Sequence, residues 1–270
     1  MNELITLEKE YKKLIEGDTF DLDKFNEFAI VHHSNEIEGS TLTKEETFLL
    51  LDENLTPKNK PLEHTFMALD HLRALKYVIA LANKKELLTV DIIKNISALL
   101  MKNTGSPISA MGGDFDSSKG DFRKVTVRAG TQTFIDYKKV PGEVEAFVNY
   151  INENINKVKN YKEINDLAFD SHYQMVTIHP FADGNGRLSR LLMNYVQQYH
   201  NTTLSIIYQT FKSDYFKALT ETRKDKNVNV FRKFMYQQTK IRLKKLIQNI
   251  GTKKEANKNR GRETGFSFLF

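Results

Sequence analysis

Between His179 and Arg190 the sequence concentrates side chains able to do chemistry on a phosphate: His179, Asp183, the Gly184-Asn185-Gly186 turn, Arg187 and Arg190. Glycines at 184 and 186 let the backbone take conformations closed to other residues, and a helix starting there points unused amide hydrogens at whatever binds its end. Such a place favours an anion. Arg187 and Arg190, three apart with Leu188 and Ser189 between them, share a face in the first turn and can grip a polyphosphate together. Asp183 offers a hard oxygen to a divalent ion such as Mg²⁺ or Mn²⁺, which takes its remaining ligands from phosphate and water. His179, with an ordinary pKa near 6.5, can accept a proton from an incoming hydroxyl around neutral pH. The reaction these types fit is in-line attack of a hydroxyl on phosphorus, with metal, amides and arginines holding the developing charge. Singly, each has a plainer reading: a structural histidine, a common turn, a solvated arginine face. The density of the group is what argues for function.

The elements that must position this stretch are helical. Residues 3–16 and 22–33 carry apolar positions at helical spacing, with a break at Gly17-Asp18-Thr19, and Thr43 to Glu46 is a capping box opening the next helix. Ser34 to Gly39 reads as a short helix or turn before it. Pro61 to about Lys84 and Thr89 to Lys102 are two more helices, the second capped by Thr89. Residues 104–121 are rich in Gly, Ser and Asp, and VTVRAGTQTFIDY after them alternates about Ala129-Gly130, the one convincing strand pair. Helices follow from Pro141 to about Val158, Asn165 to about Thr177, through LSRLLMNYVQQYH, from Lys212 to Arg223 and from Asn229 to Asn249. The expected fold class is all-α with one hairpin.

Composition narrows the setting. With 270 residues, 40% hydrophobic and 27% charged, the chain can bury a large core, and 5 prolines and 13 glycines leave little for long linkers. There is no cysteine, so disulfides and thiolate chemistry are excluded and any metal must use oxygen or histidine. The opening residues lack an apolar leader and no run is long enough to span a bilayer, which gives a cytoplasmic expectation with no membrane partner. The net charge of +6 is local: from Lys240 to Glu263 there are nine Lys or Arg against two acids, and the rest is near neutral.

The string HPFADGNGRLSR resembles the Fic family signature, His-Pro-Phe-x-Asp-Gly-Asn-Gly-Arg-x-x-Arg, at every fixed position. The resemblance implies a helical core with a β-hairpin flap and a transferase moving AMP from ATP to a Tyr, Ser or Thr hydroxyl of a target protein. By the same resemblance His179 is the base and Asp183 binds the metal bridging the α- and β-phosphates. Asn185 and neighbouring amides form the anion hole, Arg187 holds the γ-phosphate, Arg190 supports the β/γ end, and Gly184, Gly186, Leu188 and Ser189 lie at the nucleotide with them. Gly120-Asp-Phe-Arg123 and VTVRAG resemble the flap, so Val127, Arg128, Ala129 and Gly130 should border nucleotide and docked target. Tyr215 and Phe216 fall in a segment similar to the family's Tyr-Tyr-x-x-Leu beside the adenine, with Phe for the second Tyr; Arg223 stands where some relatives carry Asn.

Ser34 to Gly39 resembles the family's inhibitory motif, Ser/Thr-x-x-x-Glu-Gly/Asn. The resemblance implies that Glu38 pairs with Arg190 and keeps the γ-phosphate from seating, with Ser34 and Gly39 holding the inhibitory helix at about 34–40. In some relatives the same Glu supports AMP removal. The plainer reading of Glu38 is a surface acid. The expected divisions are N-terminal helices over 1–90, a catalytic core over 91–250 with its flap at about 122–138, and a loose basic tail over 251–270. Two other readings stand beside AMP transfer: the same fold using another donor (UMP, phosphate or phosphocholine), and an interaction module in which the basic tail meets an acidic partner. Nucleic acid is disfavoured because the tail is too short for a DNA-binding module. A homodimer is left open.

Overall fold

The computed structural model describes residues 1–16, 22–129 and 132–259. Ten α-helices, α1 (Asn2–Ile15), α2 (Leu22–Ile37), α3 (Lys44–Glu53), α4 (Leu62–Asn83), α5 (Val90–Leu100), α6 (Val140–Ile155), α7 (Tyr161–Ile178), α8 (Asn185–Tyr199), α9 (Lys212–Asp225) and α10 (Asn229–Asn259), make up most of the described chain. Their starts follow the local chemistry. Thr43 accepts from the Glu46 amide while the Glu46 carboxylate accepts from the Thr43 amide, closing the capping box of α3. Thr89 caps α5 through the Ile92 amide, and Asn160 caps α7 through the Glu163 amide.

The centre is α8. Leu188, Leu191, Leu192, Met193, Tyr195 and Val196 along it are fully buried, and its polar residues are buried too apart from the partly exposed Gln198. A helix covered on nearly all sides needs neighbours on all sides, and α2, α4, α5 and α7 pack around it. Its buried amides are satisfied: Gln197 donates to Asn165 and to Ser205, each at 2.8 Å, and Asn194 donates to the Ser205 carbonyl. A second, smaller apolar cluster of Leu4, Tyr11, Phe25, Leu243, Leu246 and Ile250 joins α1 to α10. Among the described residues no helix is long and apolar enough to cross a membrane.

Four expectations change in detail. The Ser34–Ile37 stretch is not a separate helix or turn but the last turn of α2, which runs unbroken to Ile37 and stops at Gly39 with φ of 102°. Ser and Asn disfavour helix interiors because they bond locally to backbone; here Ser34 and Asn35 are bonded to Arg190 and His71 instead. Helix α7 begins four residues before Asn165, at Tyr161, since Asn160 supplies the cap. A second strand pair exists in the Gly/Ser/Asp stretch, β1 (Pro107–Ile108) against β2 (Phe115–Asp116), antiparallel. The basic segment after Gly251 is helical as far as Asn259, not loose, because its Lys, Glu and Ala are good helix formers. The hairpin is found as expected, β3 (Arg128–Ala129) pairing antiparallel with β4 (Gln132–Thr133). The break at Gly17-Asp18-Thr19, Gly130 and the tail beyond Asn259 lie outside the described residues.

Candidate active site

His179 is the residue at which α7 ends. Its backbone is left-handed, φ 52° and ψ 59°, which is rare for a side-chain-bearing residue and turns the chain toward α8. The ring stacks on Phe134 from the flap, centroids 3.8 Å apart and planes 17° from parallel. Nδ1 lies 3.4 Å from the Val176 carbonyl, a long contact but one that can only accept. The proton therefore belongs on Nδ1, leaving Nε2 as the acceptor. Burial depresses the imidazole to a pKa of about 4, the nearby Arg123 cation adding to this and the Val176 carbonyl opposing it. At neutral pH the ring is uncharged and able to take a proton.

Arg123 ties the flap to this turn. It is almost wholly buried, and its guanidinium donates to three carbonyls: His179 at 2.8 Å, Val125 at 2.8 Å and Ile135 at 2.7 Å. Its own amide donates to the Pro180 carbonyl at 3.0 Å. The planar fork of arginine suits such a junction, whereas lysine has no fixed fork. Val127, half-buried, accepts the Phe134 amide, and Arg128 projects into solvent at the strand edge.

The loop between α7 and α8 is clipped by Asn185. Its side chain donates to the Phe181 carbonyl at 2.9 Å and accepts the Phe181 amide at 3.0 Å. These two bonds fix the side chain and leave one amide hydrogen beyond them, beside the backbone amides of the α8 start. Gly184 is left-handed, φ 77°, and a β-carbon there would meet the Met101 sulfur at 3.0 Å. Leu188 and Ser189, expected at the nucleotide, are fully buried, and the Ser189 hydroxyl bonds the Asn185 carbonyl. They face the core because only one side of the first turn opens outward.

The two arginines sit beneath that opening. Arg187 is 2% exposed; Nη2 lies 3.3 Å from the Met101 sulfur and 3.6 Å from Asp183, while Nε and Nη1 have no partner among the described residues. Burial pulls its pKa below the usual arginine value, with Asp183 and Glu38 pulling back. Arg190 donates through Nε to the Ser34 hydroxyl at 2.7 Å, and through Nη2 to the Ser34 carbonyl at 3.1 Å and the Glu38 carboxylate at 2.5 Å. Its Nη1 is also unserved. Buried guanidinium nitrogens without a partner are costly and uncommon, and three of them lie around this one helix start among the described residues, where they can serve an anion.

The Glu38 carboxylate occupies this place. A β-carbon on Gly186 would lie 2.3 Å from Glu38 Oε1 and 3.2 Å from Arg190 Nη1, so both groups hang directly over the second glycine. Burial would raise the Glu38 pKa, but the charge and hydrogen bond of Arg190, helped by Arg187 and Lys212, outweigh it and hold the carboxyl below its ordinary value. Beneath the pair, the fully buried His71 bonds Asn35 through Nδ1 at 3.0 Å, and burial beside both arginines keeps it uncharged.

Asp183 lies at the mouth with its side chain 73% exposed, one oxygen accepting the Gly184 amide at 2.6 Å. One accessible carboxylate fits a hard divalent ion that arrives with phosphates and keeps much of its water. Of the pair expected at the base, Tyr215 is buried with its hydroxyl 3.2 Å from His172 Nε2 and its pKa pushed up to about 12 by burial. Phe216 beside it is half-exposed and offers an open ring face. Arg223 keeps a buried Nε without a partner among the described residues. Phe134, Met101 and His71 were missed in the sequence; the alternating flap stretch carried a faint signal for Phe134, and the other two had none.

A helical core centred on α8 with a hairpin against the histidine has the architecture of the Fic fold. Residues 87–197 match the model of the Fic/DOC family, and the chain carries a domain of that family. A curated relative, the protein adenylyltransferase Fic of Nematostella vectensis, is 32% identical over 200 residues, which is 72% of this chain and 43% of that protein. The chain thus spans less than half the length of that relative. A Fic domain containing signaling protein from Bacteroides thetaiotaomicron shares the fold with a TM-score of 0.78 at 23% identity, over 97% of this chain and 100% of that one. Fic-1 from C. elegans gives 0.76 at 18% identity, over 93% and 72%.

Proposed function

We propose that this chain is a protein adenylyltransferase that moves AMP from ATP to a hydroxyl side chain of another protein and that Glu38 restrains it. The observation that carries the reading is the pairing of an uncharged imidazole, its Nε2 left as acceptor, with an anion cradle of α8 amides, Arg187 and Arg190. The relatives named for protein adenylyl transfer support the choice of donor and acceptor.

In the proposed step the target hydroxyl oxygen attacks the α-phosphorus of ATP and gives its proton to His179 Nε2. The new oxygen–phosphorus bond forms as the bond to pyrophosphate breaks, and pyrophosphate leaves with the electron pair. Backbone amides at the start of α8 and the two arginines stabilise the equatorial and leaving-group charge, work that such fixed donors do without reorganising. Asp183 would hold Mg²⁺ or Mn²⁺, which neutralises phosphate charge when bound. The strand edge at Val127 to Ala129 would take the target segment as an added strand, fixing its hydroxyl by main-chain bonds. Phe216 would lie against the adenine.

Glu38 supports the restraint: its carboxylate sits over Gly186 and consumes one donor of Arg190, so a γ-phosphate must displace it and meets a like charge on the way. Intact-mass measurement of wild type, Glu38→Gly and His179→Ala after incubation with ATP, Mg²⁺ and a cell extract as acceptor source tests the whole reading. The expected result is AMP-sized additions made by Glu38→Gly and absent with His179→Ala. Equal modification by all three would sink it.

A further inference from the structure

A cluster outside the catalytic site has the composition of a metal centre. On the last turns of α2, His32, His33 and Glu36 bring two imidazoles and one carboxylate within 4.8 Å of one another. The spacing follows from the helix, since residues three and four apart meet on one face. His33 Nδ1 lies 3.3 Å from Glu36 Oε2, and His32 Nε2 lies 3.5 Å from the same oxygen.

The tautomer of His32 is fixed by its other side. The Thr47 hydroxyl donates its proton to the Thr43 carbonyl at 2.8 Å, so its oxygen is the acceptor for His32 Nδ1–H at 3.1 Å. His32 Nε2 then presents its lone pair toward the Glu36 carboxylate oxygen, an arrangement in which both can bind one cation. An imidazole whose far nitrogen is held by a hydroxyl or carbonyl is the usual outer arrangement of a metal ligand. Both nitrogen-to-oxygen spans also suit: ligand atoms about 2.0–2.2 Å from a tetrahedral Zn²⁺ stand about 3.3–3.5 Å from one another.

We propose that His32, His33 and Glu36 form a three-ligand site for a borderline transition-metal ion such as Zn²⁺, its fourth position open to solvent on the Glu36 side. Glu36 is about one-third exposed, which gives the ion a way in, while both histidines are buried and His32 is held through Thr47. Lys44 and Arg242 face the cluster and oppose a cation, and Glu45 stands beside His32 and favours one. This balance selects an ion bonded to imidazole nitrogen over Ca²⁺ or Mg²⁺, which depend on several anionic oxygens. The site is independent of the catalytic reading and lies two residues before Glu38, so an ion there braces the turn that presents that carboxylate.

The test strips the purified full chain with a chelator and titrates Zn²⁺ against a chromophoric competitor at pH 7 without nucleotide. Wild type and Asp183→Ala are expected to take up one equivalent, while Glu36→Gln and His33→Gln bind at least about tenfold more weakly. Glu36→Gln guards against a merely unfolded variant because the residue is partly exposed, and its thermal midpoint without metal should match wild type. Zn²⁺ should raise the midpoint of wild type and leave that of Glu36→Gln unmoved. No uptake by wild type, uptake undiminished in Glu36→Gln, or uptake lost in Asp183→Ala would each overturn the proposal.

Discussion

Replacing Glu38 by glycine removes a carboxylate from the mouth of the anion cradle and returns one donor to Arg190. The bond lost is a single charge-assisted contact of 2.5 Å between a nearly buried guanidinium and a partly exposed carboxylate. Such a bond is worth about 1.5–3 kcal/mol. If ATP must break it to seat its terminal phosphate, productive occupancy at low ATP rises by about 10- to 100-fold in the variant, at 1.4 kcal/mol per tenfold. The repulsion between Glu38 and phosphate adds to the same direction. The assay is the initial rate of AMP incorporation at ATP well below saturation, with equal folded enzyme. Glu38→Gln should fall between, because it keeps the shape and an acceptor but loses the charge. A rise below about threefold in Glu38→Gly, with fold and ATP binding intact, would refute the proposed contest between carboxylate and phosphate.

Further outcomes follow from the buried charges and histidines. With His179 held near 4 by burial, kcat/KM of Glu38→Gly should be flat through neutral pH and fall only as the imidazole protonates in acid; a limb at about 6.5 would show that the ring titrates as in water. His32 and His179 are both depressed to about 4, and His33, His71, His172 and His200 shift the same way, chiefly by burial. The unfolded chain protonates them first as pH falls, so stability is complete above their ordinary pKa and is lost progressively on the way down to about 4. Urea midpoints that stayed constant between pH 7 and about 4.5 would contradict this burial. Arg123→Met strands three carbonyls and should cost about 3 kcal/mol or more, with faster amide exchange across residues 123–135; unchanged exchange there would show that the guanidinium does not hold the flap.

The stretch from His179 to Arg190 was readable because its ligating groups are consecutive and its glycines announce a special backbone. The caps at Thr43 and Thr89 were readable for the same local reason. What surrounds the cradle was not. Phe134 reaches His179 from a flap far away in sequence, Met101 reaches Arg187 across 86 residues, and His71 reaches Asn35 across 36. Such contacts depend on how α4, α5 and α8 pack, which no local pattern encodes. The same tertiary partners explain why Ser34 and Asn35 continue α2 where a separate short helix or turn was expected. The paired hydrogen bonds of the Asn185 amide to Phe181, which fix the loop, were likewise not legible, since they depend on how the loop folds back on itself.

The unbroken course of α2 bears on timing. Because Ser34 to Ile37 is continuous with a helix packed against α4 and α8, the helix need not move for Glu38 to let go; rotation of one partly exposed side chain beside Gly39 is enough. Side-chain rotations of that kind are complete in far less than a catalytic cycle. Under the proposed restraint Glu38 would act as a pawl that lifts and drops many times per turnover, lowering the steady rate without imposing a lag when ATP is added.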